Sequence, residues 1–326
     1  MSTPARPKQL LPLASDRPLI ADTVERARAL AGDERIRILA GDHLVRPFRA
    51  ALPDLPEGSY LVEPAPRGTC PVLTWAAWEI ARQDPEAVLV SLHSDHLIRP
   101  LEAFVDTVRA AAILARSEQL LLTIGIVPDR VETGYGHIQP GQGLSAEEGT
   151  RGFRVAAFHE KPDAATARRY LADGYLWNSG IFVWKASVFL DEVRRHAPGV
   201  ASCLPLLESE GAEAFFREVP VSVVDRAVLE RSDRVGCVAA TFAWDDVGSW
   251  DALARTREGD SAGNVLMGRA HAVDATDNVV FAEDGEVVLF GVRDLVVVRA
   301  GERTLVLPRS RAADLKALLS KLDEGS

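Results

Sequence analysis

Glu160 and Lys161 set a carboxylate beside an ammonium in Phe158-His159-Glu160-Lys161-Pro162-Asp163, and an amide follows in Trp177-Asn178-Ser179-Gly180-Ile181-Phe182. Such a set can grip a phosphorylated sugar. Lys161 would take the phosphate charge while Glu160 and Asn178 bracket hydroxyls. Each piece alone has a plainer reading, the first as a surface triplet before a helix start and the second as an ordinary turn.

Further acids stand at the carboxyl ends of predicted strands, where open parallel sheets bind ligands. Glu63 leads into Pro64-Ala65-Pro66-Arg67-Gly68-Thr69, Asp95 lies in Ser94-Asp95-His96, and Asp246 lies in Trp244-Asp245-Asp246-Val247-Gly248-Ser249-Trp250. A lone aspartate is more often a cap or turn residue. Paired, Asp95 and Asp246 could hold one Mg²⁺, a hard cation that takes few carboxylates and leaves its other positions to substrate oxygens. In Glu132-Thr133-Gly134-Tyr135-Gly136-His137-Ile138 the glycines let backbone N–H groups approach a ligand, and the ring can shape a pocket wall; a plain β-turn is the alternative. His93 and His96 have no convincing third ligand and read as loop histidines, not a zinc site.

The elements that must position these groups alternate from residue 18 to about 126. Periodicity predicts helices over Leu19–Leu30, Leu44–Leu52, Pro71–Arg82 and Pro100–Ala115, with strands over Arg35–Ala40, Ser59–Val62, Ala87–Leu92 and Gln119–Ile126. The Ala87–Leu92 run has the apolar character of a strand buried on both faces. This alternation argues for an α/β fold with a Rossmann-like, doubly wound, mostly parallel sheet. Residues 127–190 turn to Gly-rich loops and short strands, as expected of a substrate-binding insertion over the sheet. Helical patterns return near 187–218 and 222–230. From about 263 to 308, Val-rich strands alternate with Asp, Asn and Gly turns, which predicts a small all-β, β-helix-like domain closed by a helix at Ala312–Leu322. The expected domains are 1–258 and 259–326, without a clear long repeat.

At 326 residues and 47% hydrophobic, the chain can bury a full core. A formal charge of -10 argues against a non-specific nucleic-acid or anionic-membrane binder, while leaving room for a local basic pocket that takes phosphates. No stretch is long and apolar enough to span a bilayer, and the polar, Pro-rich start lacks the apolar core of a signal peptide. Cys70, Cys203 and Cys237 are far apart and form no Cys-x-x-Cys, so neither a disulfide scaffold nor a zinc ribbon is supported, and a cytoplasmic location is expected.

Taken in order, these motifs resemble a sugar-1-phosphate nucleotidylyltransferase, and most closely the mannose-1-phosphate guanylyltransferases. Pro7-Lys8-Gln9, Glu63-Pro64 with Arg67-Gly68-Thr69, and Ser94-Asp95-His96 match first. Glu132 to Gly136, Glu160-Lys161-Pro162, Trp177 to Phe182 and Asp246 to Trp250 follow, so the likeness covers essentially the whole chain. It implies transfer of GMP from GTP to mannose 1-phosphate, with Mg²⁺ on Asp95 and Asp246. Lys8 would neutralise triphosphate or pyrophosphate oxygens, and Glu63, Gly68 and Thr69 would serve the nucleotide. Gly134, Glu160 and Asn178 would surround the sugar, and Lys161 would bind its 1-phosphate. For Glu63 the chemistry agrees: a carboxylate accepts from both N1–H and the 2-amino group of guanine, donors that adenine lacks. A homodimer through the β-rich tail is a further expectation.

The family's Gly-rich loop, together with the strand before it, should precede Pro7-Lys8, yet the chain starts at Met1. Without that loop and strand, weak or no transferase activity is expected of the chain as given. Either the natural product begins further upstream, which the intact remaining motifs favour, or the protein is a non-catalytic, sugar-nucleotide-binding regulatory paralogue. Transfer from dTTP or UTP is the alternative within the enzyme class. Gly68, where the family commonly has Asn, and His93, where it has Pro, are smaller departures.

Overall fold

In the computed structural model, residues 7–144, 149–247 and 250–314 are described. The order begins α1 (Leu19–Arg28), β1 (Ile38–Gly41), α2 (Asp42–Ala51), β2 (Tyr60–Glu63), α3 (Thr69–Gln83) and β3 (Val88–Ser91). It continues with β4 (Leu97–Arg99), α4 (Leu101–Ser117), β5 (Leu121–Ile126), β6 (Gly136–Gly143), β7 (Gly152–Glu160), α5 (Ala164–Ala172) and β8 (Leu176–Lys185). Next come α6 (Ala186–His196), α7 (Pro198–Ala201), α8 (Leu204–Ser209), α9 (Ala212–Glu218), a π-type turn at Asp225–Leu229, β9 (Val235–Ala239) and β10 (Ala243–Asp245). Last are α10 (Trp250–Thr256), β11 (Val265–Val273), β12 (Val279–Phe290), β13 (Leu295–Ala300) and β14 (Arg303–Pro308). Among the described residues no helix is long and apolar enough to cross a membrane.

Two compact units result, and they are interleaved along the chain. One comprises Met1–Asp22, Asp95–Leu97 and Asp245–Ser326; the other comprises Thr23–Ser94 and Ile98–Trp244.

The larger unit is mixed α/β. Its six-stranded sheet has the order β3-β8-β5-β9-β7-β6, and β1 and β2 form a separate parallel pair. Within the six-stranded sheet only β5 and β9 run parallel, while the remaining neighbours are antiparallel. The expectation of a mostly parallel sheet is corrected here, and the cause is residues 127–190. These do not lie over the sheet but supply β6, β7 and β8, half of its strands. The Trp177–Gly180 stretch is therefore strand and not a turn. A second correction follows for Val88–Ser91. Among the described residues β3 pairs only with β8, so it ends the sheet and is half-buried, whereas β5 is buried along its whole length.

That sheet separates two apolar clusters. Trp184, Phe189, Phe215, Phe216 and Val228 pack on one side with α3 and α6, and Phe104, Val108, Leu114, Ile124 and Trp177 pack on the other with α4. Cys70, Cys203 and Cys237 are buried free thiols. The strand expected from Arg35 starts later, because Asp33–Arg35 close a 3-10 turn.

In the smaller unit β11, β12 and β13 stack in parallel as successive coils, and β14 returns antiparallel against β13. Val265, Met267, Val279, Phe281, Val296 and Val298 line one face; Val280, Leu289 and Val297 line the other. Asn264 and Asn278 are buried one above the other at the coil corner. The Asn278 amide nitrogen donates to Asn264 Oδ1 at 2.8 Å, and Asn264 Nδ2 donates to the Ala275 carbonyl at 2.8 Å. Each asparagine follows a left-handed residue, Gly263 or Asp277, and precedes a valine. The β-helix-like domain expected here is present, built on a short coil repeat in place of a long one. The closing segment Arg309–Asp314 is a 3-10 turn; the remainder of the helix expected at Ala312–Leu322 lies outside the described residues.

Candidate active site

In the smaller unit Lys8, Asp95 and Asp246 converge. The Lys8 ammonium donates to Asp95 Oδ2 at 3.0 Å and to the Asp246 backbone carbonyl at 2.7 Å. The side chains of the pair remain about a quarter accessible, 25% for Lys8 and 24% for Asp95. The turn presenting Asp246 is held from below by Asp245, which is buried. Asp245 Oδ1 accepts the Val247 N–H at 2.8 Å, and its Oδ2 accepts from Arg255 of α10 at 3.1 Å. Val247 has a φ of +48°, a left-handed conformation that costs a β-branched residue on the order of 1–3 kcal/mol. The buried Asp245 acceptor and the packing of Val247 among Leu11, Leu97 and Leu253 hold it there.

The larger unit carries the other named groups. Glu63 ends β2, and its Oε1 accepts the Arg67 N–H at 3.3 Å. Burial pushes its carboxyl above the usual range, opposed by that N–H. Gly68 has a φ of +89°, and a Cβ there would collide with the Ser222 carbonyl. Thr69 Oγ1 accepts the Val224 N–H at 3.0 Å, so both residues fasten their loop to residues 222–224. Arg67 anchors the same loop through the carbonyls of Phe216 and Arg217.

Glu160 ends β7 opposite Gly136 of β6. A side chain at Gly136 would crowd both Glu160 and Asn178. Gly134 instead closes a turn, its N–H donating to Glu132 Oε1 at 2.9 Å. Lys161, with φ at +50°, pairs with Glu160 Oε1 at 2.8 Å while remaining more than half exposed. Asn178 Oδ1 accepts from Thr123 Oγ1 at 2.7 Å and from the Gly180 N–H at 3.2 Å. Because a backbone N–H can only donate, the amide nitrogen must point the other way, and it donates to Asp225 Oδ1 at 2.9 Å. Burial first, and then the Glu160 charge, push the Asp225 carboxyl up to about 6, against Lys161 and the Asn178 hydrogen bond. Tyr135 packs edge-on against Trp177 and Trp244 at 5.3 and 5.1 Å between centroids, and Arg130 lies 4.8 Å over the Trp177 ring.

Two groups of the sequence-derived residues therefore assemble, Lys8, Asp95 and Asp246 in one unit and Glu160, Lys161 and Asn178 in the other. Gly136 and Asp245 lie inside motifs the sequence displays, without the roles found here; Thr123, Asp225 and Glu230 lie outside them. Of these three, Thr123 left a trace in the sequence: a polar residue inside the apolar Leu121–Ile126 run must find a hydrogen-bond partner once buried.

Residues 3–262 match the nucleotidyl transferase family, and residues 268–322 match a MannoseP isomerase/GMP-like beta-helix domain. The mannose-1-phosphate guanylyltransferase of Escherichia coli K12 is 33% identical over 330 residues, spanning 97% of this chain and 69% of that protein. The chain belongs to the nucleotidyl transferase family, among the mannose-1-phosphate guanylyltransferases. A Salmonella typhimurium enzyme of that name, ManC, is 34% identical over 97% of this chain and 68% of its own. A Thermus thermophilus crystal structure, described as a mannose-1-phosphate geranyltransferase, superposes with a TM-score of 0.88 at 32% identity, covering 98% of this chain and 93% of that one. Enzymes of this family generally use a divalent metal. The residues present fit one, since the Asp95 carboxylate and the Asp246 backbone carbonyl are hard oxygen donors that already hold a cation, the Lys8 ammonium.

Proposed function

We propose that this chain transfers GMP from GTP to mannose 1-phosphate, giving GDP-mannose and pyrophosphate. One observation carries the reading: a single ammonium, that of Lys8, is shared by the Asp95 carboxylate and the Asp246 carbonyl, as a cation site for triphosphate chemistry requires. An oxygen of the sugar 1-phosphate forms a bond to the α-phosphorus of GTP as the bond from that phosphorus to the β-phosphate bridging oxygen breaks. The nucleophile is already an anion, so positioning and charge neutralisation matter more than proton transfer.

Asp95 and Asp246 would hold Mg²⁺, which when bound neutralises phosphate oxygens. Lys8 takes the charge of the triphosphate and of the departing pyrophosphate. Glu63 accepts from N1–H and the 2-amino group of guanine, and Gly68 and Thr69 hold the loop that carries it to the nucleotide. Lys161 binds the 1-phosphate, exchanging its Glu160 partner for the incoming dianion. Glu160 then joins Asn178 and the turn at Gly134 around the hydroxyls. In the same reading residues 1–258 are the transferase domain and 259–326 the β-rich domain. The protein works in the cytoplasm with neither nucleic-acid nor membrane partners. It pairs as a homodimer through the β-rich tail, where Val288 and Phe290 of β12 are exposed.

The test is pyrophosphate release across GTP, dTTP, UTP and ATP, each with mannose 1-phosphate. GTP should be preferred, and Glu63→Gln should remove the preference. Faster turnover with dTTP or UTP would overturn the base assignment. Binding of GDP-mannose without turnover of any nucleotide would leave the protein a non-catalytic binder.

A further inference from the structure

The geometry points to Asp225 as a positioning residue of the sugar pocket, aiming the Asn178 amide at the hydroxyls that Glu160 also reaches. This rests on the proposed reading of Glu160 and Asn178 as sugar ligands. Thr123 and the Gly180 N–H hold the Asn178 oxygen, which in a planar amide turns the nitrogen toward Asp225, and Asp225 Oδ1 anchors that end by accepting its N–H. Five residues on, Glu230 Oε1 accepts the Glu160 backbone N–H at 3.1 Å. One short segment thus holds the Asn178 side chain and the main chain that carries Glu160. Upstream, the same segment carries Ser222, whose carbonyl accepts the Cys70 N–H at 3.1 Å and whose N–H donates to the Arg67 carbonyl at 2.9 Å.

An ordinary cap behaves differently. Asp163 opens α5 by accepting the Thr166 N–H, and that bond lowers its pKa. Asp225 is raised by burial and by a neighbouring like charge, so its ionised form is costly to the fold. The groups facing it are Glu160 and Lys161 from the end of β7, Asn178 from β8 and the Cys70 thiol from α3. Ionised, Asp225 draws the Asn178 N–H toward itself. Protonated, it accepts from that N–H only as a neutral carbonyl, a weaker hold on the amide.

The experiment compares wild type with Asp225→Asn and Asp225→Ala. Asparagine keeps the size of the side chain and an acceptor for Asn178 but cannot ionise. Asp225→Asn should raise the KM for mannose 1-phosphate roughly tenfold and leave that for GTP within about twofold. Because the sugar phosphate's own second ionisation also lies at about 6, the profile is read as the ratio of wild type to Asp225→Asn in kcat/KM for the sugar phosphate, which should fall as pH drops through about 6. Asp225→Asn should also melt higher than wild type at pH 8, with the gain shrinking toward pH 5. A raised folded-state pKa favours the protonated native form, so wild-type stability is lost as pH rises through about 6. Equal changes in both KM values, or a wild-type to Asp225→Asn ratio that stays flat with pH, would overturn the assignment. If wild type neither binds nor turns over a hexose 1-phosphate, the proposed function fails by itself. The positioning claim is then read from the Asn178 side-chain amide signals in NMR, which should titrate near pH 6 in wild type and stay fixed in Asp225→Asn. Signals that do not move in wild type would sink it.

Discussion

The two groups of charged residues are built in opposite ways. Glu160, Asn178 and Thr123 sit on strands whose register is fixed by backbone ladders, and each side chain has a named partner before any ligand arrives. Lys8, Asp95 and Asp246 come from three separate loops, and what joins them is one ammonium donating to two oxygens. A pocket framed by a sheet is preformed. A cluster drawn together by a cation depends on that cation, so the two should respond differently to mutation, pH and added metal.

Removing an acid from the loop-borne cluster should have the largest effect. Asp95→Ala or Asp246→Ala is expected to lower kcat by about a thousandfold or more and to abolish Mn²⁺ binding followed by electron paramagnetic resonance. The melting temperature should hardly move, because the cluster is partly solvated. Retained Mn²⁺ binding in both variants would break the comparison. Lys161→Ala comes next, with the KM for mannose 1-phosphate raised about a hundredfold, as expected for loss of a charged hydrogen bond to phosphate. A matching rise in the KM for GTP would place Lys161 elsewhere.

The Glu63 prediction is one of pH. Only the ionised carboxylate can accept both guanine donors, and burial has raised its pKa. GTP affinity should therefore fall as pH falls through that raised value, with a loss of about tenfold in kcat/KM for GTP that Glu63→Gln shows at every pH. A flat profile in wild type would remove Glu63 from the base. The smallest effect on catalysis is expected far from either group. Asn278→Ala strips the buried ladder of its partners and should cost about 2–3 kcal/mol in urea unfolding, with kcat per folded molecule within about twofold of wild type.

Much of this is legible in the sequence, for reasons that can be named. The helix over Leu101–Ser117 and the strand over Leu121–Ile126 carry their periods openly, since one packs a single face and the other is buried throughout. The 127–190 region is harder, because β8 contains Asn178, Ser179 and Gly180, a triplet with turn character drawn into strand by pairing with β5, where Asn178 lies opposite Gly125. Lys161 and Asp246 stand out as members of motifs. Asp225 does not, since an aspartate's role is set by what folds against it: Asn178 lies 47 residues from Asp225. The coil repeat is hidden by its brevity, as only Asn264 and Asn278 share the corner and Leu295 takes the third place.

That third corner has a consequence for the size the molecule can reach. Parallel coils present unpaired edges onto which further coils, from the same or another chain, can add indefinitely. Here the amide stack stops at an aliphatic residue, and the edge that a fourth coil would need at Leu295–Ala300 is already held by β14 running the opposite way. At that end the stack of parallel coils is capped by its own hairpin, and a further parallel coil finds no free β13 edge to add to.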